Sequence, residues 1–284
     1  MPEMPEVQVI VEQLAARATG RVVVAGHLIA FSALKTYALG LDALAGLEIS
    51  GVSRHGKFID VDAQGVHLIF HLARAGWVTW HAEVPRTIPR PGKSPIALRV
   101  ELDDDSGFSL TEAGTQRHLA IHVVRDPQEV PGIAALGPDP LGEGFTAETL
   151  EGILRAAGRA QVKGVLRDQK LIAGIGNAFS DEILHAARLS PFAPASTVDG
   201  AALHAHIVGV LSDALSAVSG VDLAKLKDAK RSGLRVHGRA GQQCGICGST
   251  IAEVSFADSS LQYCPGCQTG GKLLADRRLS KLLK

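Results

Sequence analysis

The sequence predicts an α+β protein, in which an amino-terminal helix and an antiparallel β-sandwich or barrel precede a helical part and a small cysteine module. Three observations predict this order. Apolar residues recur at helical spacing near the start, short β-rich runs separated by glycine and charged turns continue to residue 124, and longer helical patterns follow. With 284 residues, of which 46% are hydrophobic and 20% charged, the chain is long enough for one large or two medium globular domains.

The first part of the chain is predicted to hold one helix and eight strands. The helix begins at Pro5 and ends at Gly20, and its apolar side is formed by Val7, Ile10, Val11, Leu14 and Ala18. The strands are predicted at residues 21–30, 47–54, 58–62, 66–71, 77–81, 96–102, 108–111 and 119–124, with a proline-rich loop at 85–95. A helix packed on this β-structure would hold the amino terminus in place.

The second part is predicted to be helical. Residues 127–145 are rich in glycine and proline and are predicted to link a domain at 1–126 to a domain at 146–240. Helical patterns occupy residues 147–157, 161–168, 177–187 and 199–218. Residues 241–284 hold the cysteine module and the carboxyl-terminal tail.

Charge is unevenly distributed along the chain. The net charge is zero, yet residues 1–154 hold 12 Lys and Arg against 19 Asp and Glu, and residues 155–284 hold 17 against 10. Such asymmetry is typical of a protein with a polyanionic partner, although a solvated face would explain any one of these cations equally well. Because no run of 18 apolar residues occurs and the start is acidic, we expect no membrane span and no signal peptide, and hence a cytoplasmic protein.

The four cysteines form two Cys-x-x-Cys pairs, Cys244 with Cys247 and Cys264 with Cys267, separated by sixteen residues. This spacing is typical of a structural zinc site with four thiolate ligands. The alternatives are two disulfides, which a reducing cytoplasm disfavours, and a redox motif, which would follow a βαβ pattern that this sequence lacks. We therefore predict one structural zinc ion per chain.

Pro2 is a candidate nucleophile. Removal of Met1, which is usual when proline follows, leaves a secondary amine, and an α-amino group has a pKa of about 7.7–8.0. Such an amine forms an iminium ion with an aldehyde-level carbon. Glu3 lies beside it and could protonate a leaving oxygen. The simpler alternative is that Pro2 and Pro5 only begin a helix.

Two glycine-containing turns are candidate contact sites. The run 171–177 does not predict a dinucleotide loop, because it follows a helix and has no third glycine at position 179. A tight turn between two helices fits better, with backbone N–H groups and Asn177 facing a phosphate. Lys57 follows Gly56 at the start of a strand, and it is a surface residue unless the fold brings it to Pro2.

Several motifs, taken in order, resemble the formamidopyrimidine-DNA glycosylase/endonuclease VIII family. They are PEMPEV at 2–7, HGKF at 55–58, His71-Leu72 with Gly76, LGPDPL at 136–141, LIAGIGNAFSDEIL at 171–184 and the four cysteines. The resemblance implies a base-excision DNA glycosylase with β-lyase activity, built from an N-terminal β-sandwich, a helix–two-turn–helix domain and a zinc finger. It implies damaged double-stranded DNA and abasic sites as partners, with single-stranded or mismatched DNA as further ones, and a monomer located at the nucleoid.

The resemblance also implies roles for single residues. Pro2 matches the family's iminium-forming nucleophile and Glu3 the acid that protonates the sugar. Lys57 matches the lysine that contacts the phosphate beside the lesion and assists elimination, and Asn177 matches the phosphate-clamping residue of the two-turn motif. Further DNA contacts are predicted at Glu6, Arg74, Lys93, Arg117, Arg159 and Lys163.

Three positions depart from the family pattern. Arg74 stands where formamidopyrimidine-type members carry a gap-filling methionine, the run 111–118 lacks the aromatic residue of the wedge, and 259–262 lacks the finger arginine, with Gln262 only a weak polar substitute. The stretch 220–235 is also short for a loop that folds over a base. We therefore predict lyase activity dominated by β-elimination, weak removal of 8-oxoguanine opposite cytosine, and a preference for oxidised or ring-opened bases in loosely paired DNA. The alternative is a damage-specific DNA-binding protein of the same fold without efficient turnover.

Overall fold

The computed structural model describes residues 2–92, 94–114, 117–256 and 259–275, and these form eight α-helices and ten β-strands. The helices are α1 (Met4–Ala18), α2 (Pro131–Ala134), α3 (Ala147–Ala157), α4 (Val162–Arg167), α5 (Asn177–Ala186), α6 (Gly200–Val218), α7 (Leu226–Gly233) and α8 (Pro265–Gln268). The strands are β1 (Val23–Leu28), β2 (Ile49–His55), β3 (Phe58–Ala63), β4 (Val66–His71), β5 (Gly76–His81), β6 (Ile96–Leu102), β7 (Gly107–Glu112), β8 (Ala120–Val124), β9 (Ala252–Ser255) and β10 (Ser260–Tyr263).

The eight strands predicted for the first part are all present, and they form two antiparallel sheets of four strands each. One sheet has the order β1-β6-β7-β5 and the other β2-β3-β4-β8. Alternate residues of each strand face a shared apolar core, where the rings of Phe70 on β4 and Phe108 on β7 lie 6.3 Å apart. This confirms the sandwich and excludes the closed barrel that the sequence left open.

The outer face of the second sheet is covered by α2. Ile69 and Val124 on the sheet pack with Val130 and Ile133 in a separate buried cluster, which also contacts Phe58. The approach is close at Gly132, because a Cβ atom there would lie 2.6 Å from the Phe58 ring. The chain that leaves the sandwich is therefore held against the strand that begins just after Lys57.

The chain divides into two compact units. The first comprises Met1–Leu136 together with Val218–Lys227, and the second comprises Gly137–Ala217 together with Asp228–Lys284. The boundary at residue 136 lies inside the stretch predicted as a linker. The cysteine module belongs to the same unit as α3 to α6.

Residues 218–227 return to the first unit, where they contact the side chains of Gln13 and Trp77. The Gln13 amide donates to the Val221 carbonyl at 2.6 Å, and the Trp77 indole N–H donates to the Leu223 carbonyl at 3.1 Å. The ammonium of Lys227 lies 4.6 Å from the centre of the Trp77 ring, within the range of a cation–π contact. Residues 220–235 were predicted to form a short loop, whereas the structure attaches the beginning of this stretch to α1 and β5.

One described helix, α6, is long and apolar enough on average to cross a membrane, with a mean hydropathy of 1.4. No span was predicted from the sequence, because polar residues such as His204 and Asp213 interrupt the apolar run. A single helix of this kind is weak evidence for a span, since core helices of soluble proteins meet the same criterion.

Candidate functional site

The amino terminus is buried at the head of α1. Pro2 is buried and Glu3 is 2% exposed. Glu3 is the N-cap of α1 and forms a capping box with Glu6, in which the Glu3 carboxylate accepts from the Glu6 backbone N–H and the Glu6 carboxylate accepts from the Glu3 N–H at 2.7 Å. Glu6 was predicted as a DNA contact. At 1% exposure its carboxylate instead lies inside the protein and holds Glu3 in position.

Lys57 lies at the two-residue turn between β2 and β3, where Gly56 adopts the left-handed backbone conformation that such a turn requires (φ 58°). The side chain of Arg54 donates to the Gly56 carbonyl at 3.0 Å and to the Gln8 side-chain oxygen at 3.0 Å. Because Gln8 belongs to α1, this arginine joins the helix that carries Pro2 and Glu3 to the turn that carries Lys57. Lys57 is only 7% exposed, so it is not the free surface residue of the simpler alternative.

His71 is a candidate site residue that the sequence marks only as part of a motif. Burial first, and then the charges of Lys57 and His122, together lower the pKa of His71 from 6.5 to about 4. Its Nδ1 accepts from the Ala73 N–H at 3.2 Å, and its ring lies 4.9 Å from that of Phe58. His71 is therefore a neutral partner beside Lys57 at neutral pH.

A buried carboxylate holds the same hairpin from its outer face. Asp60 is 3% exposed, and its two oxygens accept from His55 Nε2 at 3.1 Å and from His67 Nδ1 at 2.9 Å. His55 ends β2 next to the turn, so this pairing fixes the strand ends on which Lys57 stands. Sequence alone gave no signal for it, since the three residues belong to three different strands.

The predicted arginine contacts lie on the surface. Arg74, Arg117 and Arg159 are all exposed, and Arg117 donates to the Ser94 carbonyl at 3.4 Å. Lys93 lies outside the described residues. Contact of the three arginines with DNA stays a prediction.

Lys163 must be corrected, because it is not a surface cation. It is 4% exposed, and its ammonium donates to Asp181 Oδ1 at 2.7 Å and to Ser180 Oγ at 2.6 Å. It also donates to the Asn177 carbonyl at 3.2 Å. With these partners Lys163 holds α4 against α5, and it is not placed to meet a phosphate.

A polar row on α5 attaches the helical part to the cysteine module. Asn177, Asp181 and His185 follow one another at intervals of four residues and so lie on one side of the helix. The Asn177 amide donates to the Ser260 carbonyl at 2.7 Å, Asp181 Oδ2 accepts from the Gln262 N–H at 3.2 Å, and His185 Nε2 lies 3.4 Å from Cys244 Sγ. These contacts therefore connect the two-turn motif to the finger hairpin within the second unit.

Two further side chains, Glu182 and Gln169, accept backbone hydrogen bonds in this region, and neither was predicted from the sequence. The Glu182 carboxylate accepts from the backbone N–H groups of residues 235, 236 and 237 at 2.8–2.9 Å. The Gln169 side chain spans the two-turn loop, donating to the Ile175 carbonyl at 2.7 Å and accepting from the Gly174 N–H at 3.0 Å. Gln262, considered as a substitute for the finger arginine, is 4% exposed and donates to Glu253 at 2.6 Å, so it faces the protein.

The cysteine module contains a candidate metal centre. The ligand atoms of His185, Cys244, Cys264 and Cys267 all lie within 4.8 Å of one another, and Cys247 Sγ lies 3.3 Å from Cys264 Sγ. The four cysteines are all described, and none is in a disulfide. With Zn–S bonds of about 2.3 Å, sulfur atoms of a tetrahedral site lie about 3.8 Å apart. The 3.9 Å between Cys244 and Cys267 fits this value.

His185 adds a nitrogen to the predicted sulfur set. Burial first, and then the charges of Arg235 and Arg188, lower the pKa of His185, which favours the neutral ring. A neutral imidazole either ligates a metal or donates an N–H to a thiolate ligand. No spacing signal in the sequence points to His185, because it lies 59 residues before Cys244.

Comparison with known proteins agrees with this architecture. A model of the formamidopyrimidine-DNA glycosylase N-terminal domain matches residues 1–120, and a model of the formamidopyrimidine-DNA glycosylase H2TH domain matches residues 136–224. Solved structures of Lactococcus lactis Fpg, one with abasic-site DNA and one with FAPY-dG DNA, superpose with TM-scores of 0.79 and 0.81. They are 24% and 23% identical in sequence and cover 94% of this chain and 99–100% of their own chains, which shows the shared fold. The chain therefore has the fold of the formamidopyrimidine-DNA glycosylases, with an N-terminal sandwich followed by an H2TH domain.

Sequence relatives identify the family. The formamidopyrimidine-DNA glycosylases of Desulforamulus reducens and Desulfitobacterium hafniense are 30% and 31% identical to this chain, over 94% of it and 99–100% of their own lengths. The chain therefore belongs to the formamidopyrimidine-DNA glycosylase family. A Mycobacterium tuberculosis protein described as an uncharacterized formamidopyrimidine-DNA glycosylase-like protein is 57% identical over 153 residues, which is 53% of this chain and 95% of that protein.

Proposed function

We propose that this protein is a bifunctional DNA glycosylase and abasic-site lyase that uses Pro2 as its nucleophile. The observation that supports it most is the arrangement at the head of α1, where a capping box holds Glu3 directly beside Pro2. Arg54 ties this helix to the turn with Lys57, so three residues with the required chemistry stand on two elements joined by hydrogen bonds. A protein that only binds DNA has no need of this arrangement.

The proposed chemistry assigns each residue one step. The Pro2 nitrogen forms a bond to the sugar C1′ as the bond to the damaged base breaks; the base leaves with the electron pair of that bond and takes up the proton that the nitrogen loses. Glu3 donates a proton to the ring oxygen as the sugar opens to an iminium ion. Loss of a proton from C2′ then expels the 3′ phosphate, with the positive charge of Lys57 beside the phosphate. Water finally hydrolyses the iminium and restores the Pro2 amine.

We propose zinc as the metal of the cysteine module. The ligands would be Cys244, Cys247, Cys264 and Cys267. His185 would either donate a hydrogen bond to one of these thiolates or replace the exposed Cys247 as a ligand. Zinc would shape the hairpin of β9 and β10 and take no part in the chemistry at Pro2. Damaged DNA is the proposed partner, and the cytoplasm, at the nucleoid, is the proposed location.

The second candidate is a DNA-binding protein of this fold without efficient turnover. The observation that favours it is the inward orientation of Gln262, which donates to Glu253 and so does not substitute for the finger arginine in a second elimination. If the protein does act on DNA, the same observation predicts nicked products that mainly retain the sugar fragment left by β-elimination.

Borohydride trapping separates the two candidates. Purified protein with a free Pro2 amine is mixed with end-labelled abasic-site DNA and sodium borohydride, and a covalent complex is expected. A form with one extra residue before Pro2 should bind the same DNA with unchanged affinity and give no complex. An exposed control, Arg155→Gln, should trap like the wild type. Equal trapping by the blocked form would contradict the role of Pro2, and its absence in the free form would favour the binding protein.

A further inference from the structure

Two aromatic side chains are exposed on one short segment of the first unit. Aromatic residues make up only 4% of the chain, yet Phe31 is 69% exposed and Tyr37 is 84% exposed. Both lie in residues 31–37, between β1 and β2, and we refer to these residues as the aromatic segment. Exposing two large rings within seven residues is costly in water, so the segment requires an explanation beyond packing.

The backbone of the aromatic segment is held firmly against β8. Leu34 forms a parallel bridge with Ile121, the Lys35 N–H donates to the Ile121 carbonyl at 2.8 Å, and the Val123 N–H donates to Thr36 Oγ1 at 2.8 Å. The segment therefore adds a short edge to the second sheet. Because the backbone is already ordered, little conformational entropy is lost when the two rings take up a ligand.

Positive charge accompanies the two rings. Lys35 and Arg117 are exposed and line one cavity of about 80 Å³ together with Ser32 and Glu112. The negative charge of Glu112 points away from the solvent. Glu112 is 4% exposed, and its carboxylate accepts from the backbone N–H groups of residues 118 and 119 at 2.7–3.1 Å. Residues 28–41 contain no acidic residue, although the first 154 residues carry a net excess of seven acids.

We propose that the aromatic segment binds single-stranded nucleic acid, with unstacked bases on Phe31 and Tyr37 and backbone phosphates at Lys35 and Arg117. Aromatic rings interleaved with cations are the usual means of holding a single strand without reading its sequence. A protein partner or a second copy would also cover the rings, but a partner surface without acidic residues would leave the two cations without negative charge. The inference rests on the proposed function because it takes DNA as the ligand. It does not depend on the chemistry proposed at Pro2.

The test measures fluorescence anisotropy of labelled oligothymidylate with the full-length, zinc-containing protein. Phe31→Ala/Tyr37→Ala should bind at least about 10-fold more weakly, since the loss of stacking on one base weakens binding roughly 5- to 150-fold. Lys35→Gln should lower the slope of log K against log salt by about 0.7 for each lost phosphate contact. Val24→Ala, at an exposed position of β1, and Arg21→Gln, in an exposed ion pair, are the matched controls and should bind like the wild type.

Three outcomes are decisive. Weaker binding of the single strand by Phe31→Ala/Tyr37→Ala, with an unchanged melting temperature and normal borohydride trapping on saturating abasic duplex, supports the inference. Affinity within twofold of the wild type overturns it, as does a loss of self-association without a loss of DNA binding in sedimentation. Failure of the wild type to trap abasic DNA would count against the function proposed for Pro2 and would leave the single-strand measurement as an independent result.

Discussion

The buried pair of Lys163 and Asp181 offers a sharp test of how the second unit is held together. Their side chains are 5% and 0% exposed, and the ammonium and carboxylate lie 2.7 Å apart. Asp181→Asn keeps the size and shape of the side chain but removes its charge. The variant leaves the Lys163 ammonium buried without a counter-charge, and it weakens the acceptor for His237 Nδ1 at 2.7 Å.

The expected loss in the free energy of unfolding is large. Removing one member of a buried ion pair costs about 3–5 kcal/mol, because the remaining charge loses its partner but cannot regain water. For a unit of this size the melting temperature should fall by roughly 10 °C. Arg155→Gln is the control, since its pair with Glu151 is 3.8 Å long and more than half exposed and is worth at most about 0.5 kcal/mol.

The assay is urea unfolding followed by circular dichroism, with zinc present throughout. The double variant Lys163→Met/Asp181→Leu should recover part of the stability lost in Asp181→Asn, because it leaves no unpaired charge. If Asp181→Asn unfolds within about 1 kcal/mol of the wild type, the buried network does not stabilise this unit and the physical argument is wrong. A double variant less stable than the single one would show that the hydrogen bonds of Asp181 with His237 and the Gln262 N–H, rather than its charge, are decisive.

Other predictions concern the amino-terminal site and the metal. The pKa of His71 is about 4 in the folded state and 6.5 in the unfolded state, so between these pH values the unfolded state binds a proton that the folded state does not. The free energy of unfolding should therefore fall by up to about 3 kcal/mol as the pH drops from 6.5 to 4. A His71→Gln variant should show a flatter pH dependence in the same titration. Arg54→Met should slow borohydride trapping about 10-fold while abasic-DNA affinity stays unchanged, because the turn with Lys57 loses its link to α1. If the control Arg21→Gln traps equally slowly, the effect does not come from the hydrogen bonds of Arg54. Cys264→Ser, or chelation of the zinc, should weaken DNA binding strongly and leave the melting of the β-sandwich unchanged. A zinc-free preparation that is folded and binds DNA would contradict a structural role of the metal.

Periodic patterns were sufficient to predict most of the fold. The strands β1 to β8 and the helices α1 and α3 to α6 lie where alternation and helical spacing placed them, since these patterns depend only on which side of an element is apolar. Helix α7 was not predicted, because it has only eight residues and half of them are charged, which leaves too few apolar positions to define a period. The choice between a sandwich and a barrel depends on which strands pair at the sheet edges, and no local pattern encodes that.

The candidate site was predictable only where its residues form local motifs. Pro2, Glu3, Lys57 and the cysteine pairs are each marked by neighbours in the sequence.

The structure alone decided the position of Lys163, Glu6 and Gln262, because a polar residue in the sequence does not show whether its partner is solvent, DNA or a distant side chain. Lys163 finds Asp181 eighteen residues away, and His185 meets Cys244 fifty-nine residues away. Burial makes such pairs necessary, since a charge removed from water needs a partner, and only the packing of α5 against its neighbours determines which partner it meets.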